Sequence, residues 1–266
     1  MDEPIGRWFI SVDPALERDP VGLVIGEFHK ELICRERGPR WGMPAGVPEL
    51  GKRYPPDRLR TLVTIRQIVP AQGMSYKALA QFVANMAHSD RLVGMDQFMR
   101  LRGPVVITDA NGSGRAFLED LEAALGRAWI PGEDVIGIHP KPHGPASVGN
   151  TRIRKVSVDD LVNEARTASK AGWLRASEEV ATHKTFTQEI ADFTWEQNPL
   201  TGHIRYGVGR AGDGGHYDQM FAAIFGHRTV GRQVPERSPL VGGPVDYNQG
   251  VAEVADPPRP LERGWV

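Results

Sequence analysis

Residues 8–27 read WFISVDPALERDPVGLVIGE, two apolar runs separated by a charged turn bounded by prolines. Trp8, Phe9, Ile10 and Val12 have the composition of a buried strand, and the run stops at Asp13. Pro14 follows, and a residue without an N–H cannot extend the ladder. Val21, Leu23, Val24 and Ile25 then resume a strand. A carboxylate on the last residue of a buried strand is costly unless something pairs with it. An Asp before Pro is also an ordinary turn-capping residue. A metal ligand held at the rim of a sheet is the functional alternative, and it gains weight because the chain repeats the arrangement at Asp109.

The 266 residues allow a sizeable core, in one large domain or two small ones. Lys and Arg number 32 against 33 Asp and Glu, so net charge neither favours nor excludes a polyanionic partner, and only local clusters bear on it. The single Cys34 excludes an intramolecular disulfide and fits a reducing compartment. No apolar run has the length of a membrane span, and the acidic N-terminus is unlike a signal peptide. The expectation is a soluble α/β chain.

Residues 30–60 carry five prolines among Arg35, Arg37, Arg40, Lys52, Arg53, Arg58 and Arg60, which reads as a long basic loop. Leu62, Val63, Ile65 and Ile68 predict a third strand. The first three strands leave no room for crossover helices, so they are expected to form an antiparallel meander. Ser75 is placed to cap a helix bearing Leu79, Phe82, Val83 and Met86. The run 104–109, PVVITD, is a further strand that ends on Asp, and it turns through Ala110-Asn-Gly-Ser-Gly114 into a helix stopped by Gly126. Val135, Ile136 and Ile138 predict another strand. A Pro/Gly loop then leads to Arg152, Arg154 and Lys155. Ser157 caps a helix ended by Gly172. Val180, Phe186, Ile190 and Phe193 predict a helix, 203–208 a strand, and 216–225 a short apolar helix. Residues 231–266, rich in Pro, are expected to be an extended or disordered tail, which leaves 1–230 as the folded domain.

Several motifs carry no chemistry. Gly46 to Lys52 has P-loop spacing, but Arg53 stands where Ser or Thr must hold magnesium and no apolar strand precedes it. Gly112 and Gly114 lack the third glycine of a dinucleotide fingerprint and better serve a tight turn beside Asp109. His139 and His143 are four apart, but Pro140 and Pro142 prevent the helix that would align them, and one Cys makes a zinc site a poor fit. No Gly-x-Ser-x-Gly elbow anchors a hydrolase triad. What remains is a set of carboxylates: Asp13 and Asp109 at strand ends and Asp218 on the first turn of the last helix. Such hard oxygen ligands suit Mg2+ or Mn2+. Two such ions about 3.5–4 Å apart support in-line hydrolysis of a phosphodiester.

Together these segments resemble the nuclease domain of the phage terminase large subunit, in the RNase H-like superfamily. The likeness runs from Phe9 to Gly226. It is carried by Phe9–Asp13, by Arg66-Gln-Ile-Val-Pro70 with Tyr76, by Asp109-Ala-Asn-Gly112-Ser-Gly114, by residues 155–174 and by His216-Tyr-Asp218. Tyr217 stands where the family often has a second Asp. The resemblance implies a mixed central sheet, a three-strand antiparallel meander plus parallel strands, flanked by helices. It implies a metal-dependent endonuclease that cuts concatemeric double-stranded DNA during genome packaging. The two ions, Mg2+ or Mn2+, would be held by Asp13, Asp109 and Asp218, with His216 or Asp213 as auxiliary groups. Arg152, Arg154 and Lys155 are the candidate DNA contacts. A packaging ATPase motor, small terminase and portal are the expected partners, in the host cytoplasm. A resolvase acting on branched DNA, or a non-catalytic packaging or DNA-binding module, would use the same fold.

Overall fold

The apolar run before Asp13 forms strand β1 (Gly6–Asp13), and the run after the turn forms β2 (Gly22–Ile33). The computed structural model of the chain describes residues 6–14, 21–33, 44–46, 59–95, 101–141, 152–197, 204–206 and 217–231. β1 and β2 pair antiparallel, with Asp13 opposite Gly22 and Phe9 opposite Gly26. A short β3 (Pro44–Gly46), inside the stretch expected to be loop, lies against the far end of β2. β4 (Leu59–Ile68) then pairs antiparallel along β2. The expected meander is therefore β1–β2–β4.

Helix α1 (Tyr76–Ala87) begins as expected at Ser75, whose hydroxyl accepts from the Ala78 N–H at 3.3 Å. A small hairpin of β5 (Gly94–Met95) and β6 (Leu101–Arg102) precedes β7 (Val105–Asp109). β7 runs parallel to β1 on the edge opposite β2. Its β-branched run, buried on both faces, is the pattern of a central parallel strand. Helix α2 (Gly114–Leu125) buries Phe117, Leu118, Leu121 and Leu125 and ends at Gly126, whose φ of 81° suits a residue without Cβ.

β8 (Val135–Lys141) and β9 (Ile153–Ser157) extend the sheet in parallel. Ser157 caps α3 (Val158–Lys170), which leads from that edge to β10 (Leu174–Ala176) on the opposite edge, beside β4. The single helix expected around Phe186 is two, α4 (Glu178–Ala181) and α5 (Lys184–Asp192), because Ser177 and His183 each supply a cap. A hairpin of β11 (Trp195–Gln197) and β12 (Ile204–Tyr206) follows, and α6 (Asp218–Gly231) ends the described chain. The resulting α/β sheet is mixed, in the order β10-β4-β2-β1-β7-β8-β9, with β3 as an eighth strand beside β2.

The two sides of the strands serve two helical layers, since successive strand residues point to opposite faces. Ile10, Val12, Leu23, Val106 and Val135 pack with α1 and α2. Phe9, Val63, Ile107, Ile136 and Ile138 pack with α3, α5 and α6. Helix α6 is apolar all round from Met220 to Gly226 and is buried along nearly its whole length, Gln219, His227, Arg228 and Thr229 included. Two glycines let it lie close to the sheet. A Cβ on Gly22 would come within 2.0 Å of the Asp218 carbonyl oxygen, and one on Gly226 within 2.3 Å of the Phe9 ring. Eight helical residues rise about 12 Å. Four strand residues span about 13 Å. Helix α6 therefore runs antiparallel along β1, with Asp218 at the Asp13 end.

Candidate functional site

Val12 on β1 is level with Thr108 on β7, so Asp13 and Asp109 are the next residues of two adjacent parallel strands. Such strands lie about 4.8 Å apart. Alternation turns both aspartates to the face that holds Phe9, Val105 and Ile107, which is the face covered by α6. Asp218 opens α6 with its carbonyl against Gly22, the residue paired with Asp13. Three elements distant in sequence thus bring Asp13, Asp109 and Asp218 to one rim.

A fourth acid joins them. Glu189 on α5 is 8% exposed, and its Oε2 accepts the Met220 N–H at 2.8 Å. Neither a strand end nor a turn singles it out in the sequence. Its signal was spacing: Phe186, Glu189, Ile190 and Phe193 stand at i, i+3, i+4 and i+7, so a carboxylate sits on the apolar stripe of an amphipathic helix.

Electrostatics mark the rim. Burial pushes the Asp13 carboxyl well above the usual carboxylate range, and the neighbouring charges of Asp109, Asp218 and Glu189 push it the same way. Asp109 is raised to about 6 by burial, against the pull of the Asn111 and Ala110 N–H groups. The Asn111 bond to its Oδ1 is 2.9 Å. Glu189 is raised to about 7, first by burial and then by Asp218, although the Met220 and Gln219 N–H groups favour its ionised form. Among the described residues, the charges that act on Asp13 are all negative.

The donors fit a hard divalent cation, because every one is a carboxylate and the cluster gains most from a positive charge. Ser11 lies two residues before Asp13 on the same face, fully buried, and its hydroxyl has no hydrogen-bond partner among the described residues. The acids line a rim and do not form a closed cage. Among the described residues, no three His, Cys, Asp or Glu side chains form a group that could hold one ion. A cation bound here would have to draw the carboxylates together.

Tyr217 adds no charge. Its hydroxyl donates to the Asp192 carbonyl at 3.1 Å, and its ring meets Phe193 edge to face. It joins the end of α5 to the start of α6. The turn after Asp109 uses its glycines as expected: Gly112 has φ 52°, and a Cβ on Gly114 would lie 2.5 Å from the Asp109 carbonyl oxygen. Tyr76 reaches the same turn through a 2.9 Å bond to Ser113.

The candidate DNA contacts fare differently from one another. Arg152 Nε lies 2.6 Å from Glu122 on α2. Arg154 donates to the Gly132 carbonyl at 3.2 Å, and burial lowers its pKa. Lys155 is exposed on β9. Asp213, His216, the stretch 34–43, residues 142–151 and the tail after Gly231 lie outside the described residues. No helix among the described residues is long and apolar enough to cross a membrane. No protein family, curated protein or solved structure matches the chain.

Proposed function

We propose that this chain is a metal-dependent endonuclease of RNase H-like fold, similar to a terminase nuclease domain, that hydrolyses phosphodiester bonds of double-stranded DNA. The observation that carries this reading is the rim where Asp13, Asp109 and Asp218 converge with no cation acting on Asp13 among the described residues. The antiparallel meander, whose first strand ends on Asp13, and the parallel strand beside it, which ends on Asp109, support the same reading.

Asp13, Asp109 and Asp218 are the residues that would hold Mg2+ or Mn2+. Such ions, when bound, activate a water and stabilise the leaving oxygen of an in-line displacement. The protein's own part is to place and tune the carboxylates. The Asn111 N–H fixes Asp109 in orientation, and with the nearby Ala110 N–H it favours the anion. Gly22 admits the first turn of α6, so that Asp218 approaches the end of β1. Because burial and mutual repulsion favour protonated acids, cation binding releases protons and strengthens as pH rises through about 6–7. Lys155 and the basic loops supply positive charge for the phosphates beyond the cut. The substrate in this reading is concatemeric DNA, with a packaging ATPase motor, small terminase and portal as partners in the host cytoplasm.

The test is cleavage of supercoiled plasmid by the purified chain with Mn2+, with Mg2+ and with EDTA. Nicking and linearisation that need the metal are the expected result. Strong preference for a four-way junction over plasmid would reassign the chain to branched-DNA resolution. DNA binding without cleavage under any metal would leave a packaging or binding module.

A further inference from the structure

We propose that Glu189 is a positioning residue, and that α5 is a clamp that sets Asp218 on the rim. This rests on the rim being a metal-dependent nuclease centre. The first N–H groups of an α-helix have no acceptor within the helix. The bond that opens α6 runs from the Phe221 N–H to the Tyr217 carbonyl, at 2.8 Å. The N–H groups of Gln219 and Met220 therefore need acceptors from elsewhere.

Tyr217 occupies the N-cap position, where Ser, Thr, Asp or Asn usually supplies a short side-chain acceptor. A tyrosine cannot fold back to do so, and its hydroxyl is 3.1 Å from the Asp192 carbonyl on α5. The cap comes from another helix instead. Glu189, buried on α5, accepts from the Met220 N–H at 2.8 Å, and the Gln219 N–H nearby favours its ionised form. Helices α5 and α6 are thus joined twice, once by a carboxylate taking a backbone N–H and once by a phenol giving to a backbone carbonyl. Both bonds flank Asp218. Gly22 backs the Asp218 carbonyl from the sheet side. The first turn of α6 is held between the sheet and the clamp, and the Asp218 carboxylate takes its place from that.

A ligand and a positioning residue respond differently to substitution. Glu189→Gln keeps a carbonyl acceptor of the same length but no charge, whereas Glu189→Ala removes the acceptor. Asp218→Asn leaves the clamp intact. The experiment measures Mn2+ affinity by electron paramagnetic resonance and amide hydrogen exchange across 218–222 for the native chain and these three variants. Glu189→Gln should keep Mn2+ affinity within about threefold and leave exchange slow. Glu189→Ala should speed exchange about tenfold, the equivalent of losing one helix cap, and weaken Mn2+ binding. Asp218→Asn should lose Mn2+ with exchange unchanged, and adding Glu189→Ala to it should cost no further affinity.

Loss of Mn2+ from Glu189→Gln as complete as from Asp218→Asn would make Glu189 a ligand and overturn the proposal. Unchanged exchange in Glu189→Ala would overturn it as well. Failure of the native chain to bind Mn2+ would overturn the nuclease reading instead, while the exchange rates still decide whether the clamp exists.

Discussion

Strand β1 carries a charge at each end, and the two are treated in opposite ways. At its start, Arg7 Nη2 lies 2.8 Å from Asp134 Oδ1, with both side chains less than a fifth exposed. Arg7 Nε also donates to the Gly103 carbonyl, and the other oxygen of Asp134 accepts from the Ile130 N–H. Charge is matched and the lone pairs are used. At its end, Asp13 is crowded by three further acids, and no positive charge answers it among the described residues. A buried pair that is fully bonded does structural work. A like-charged crowd at the ends of two central strands works against the fold, and such crowds are commonest at functional sites. The same physics leaves the first end satisfied and means that the second would gain from a cation.

The sharpest way to break this contrast is to neutralise the acidic end. Asp13→Asn and Asp109→Asn should each cut metal-dependent plasmid cleavage by about 10²–10³-fold, the usual cost of losing one electrostatic group at a reacting centre. Their thermal melts without metal should hold or rise, because repulsion is relieved. Near-native cleavage in either variant would remove the rim from the chemistry. Gly22→Ala should come next. The new methyl would meet the Asp218 carbonyl and displace the start of α6. A displacement of about 1 Å at a reacting centre costs about a hundredfold in rate. Cleavage kinetics read beside a melting curve check this, and the rate should fall out of proportion to stability.

The other end should show the reverse. Arg7→Ala leaves Asp134 without its ion pair and should cost about 1–3 kcal/mol in urea denaturation. Its cleavage rate per folded molecule should stay native, since Arg7 is remote from the rim. A selective loss of rate would dissolve the distinction between the two ends.

A smaller effect concerns pH. Asp109 is raised from its ordinary value to about 6 and Glu189 to about 7, so between about pH 4 and 8 the folded chain binds more protons than the unfolded one. Their contribution to stability is therefore unfavourable above that window and vanishes below it. Denaturation of the metal-free chain at pH 5 and pH 8 should show Asp109→Asn gaining on the native protein as pH rises. A gap that closes with rising pH would contradict the sign. The smallest effect is expected from Lys155→Ala, which should lower the salt dependence of DNA binding by about one phosphate contact while leaving cleavage chemistry alone. Arg152 and Arg154, engaged with Glu122 and Gly132, should cost stability when replaced.

Much of the frame was legible in the sequence. The runs before Asp13, after Val21 and around Leu62 to Ile68 announce strands through apolar and β-branched residues, and their short connections require the antiparallel meander. Ser75, Ser157, Gly126 and Gly172 mark helix ends because capping is local chemistry. The edge strands β9 and β10 were not legible. They are five and three residues long and mix Arg with apolar residues, so their extended form depends on the neighbour that pairs with them.

By itself the sequence determined that Asp13 and Asp109 end strands, because Pro14 and the Asn-Gly-Ser-Gly turn stop each ladder at the carboxylate. It also placed Asp218 on the last helix, through the apolar residues that follow. Only the tertiary structure decided that β7 lies beside β1, which sets the two aspartates side by side, and that α6 runs antiparallel along β1 with Asp218 at the same end. It alone brought in Glu189, and it turned Tyr217 from a missing acid into the bond that closes α5 on α6. The reason is range. Strand ends, caps and turns follow from interactions within a few residues. The rim depends on contacts between residues from tens to about two hundred apart, and those are chosen by how two apolar layers fill the space on either side of one sheet.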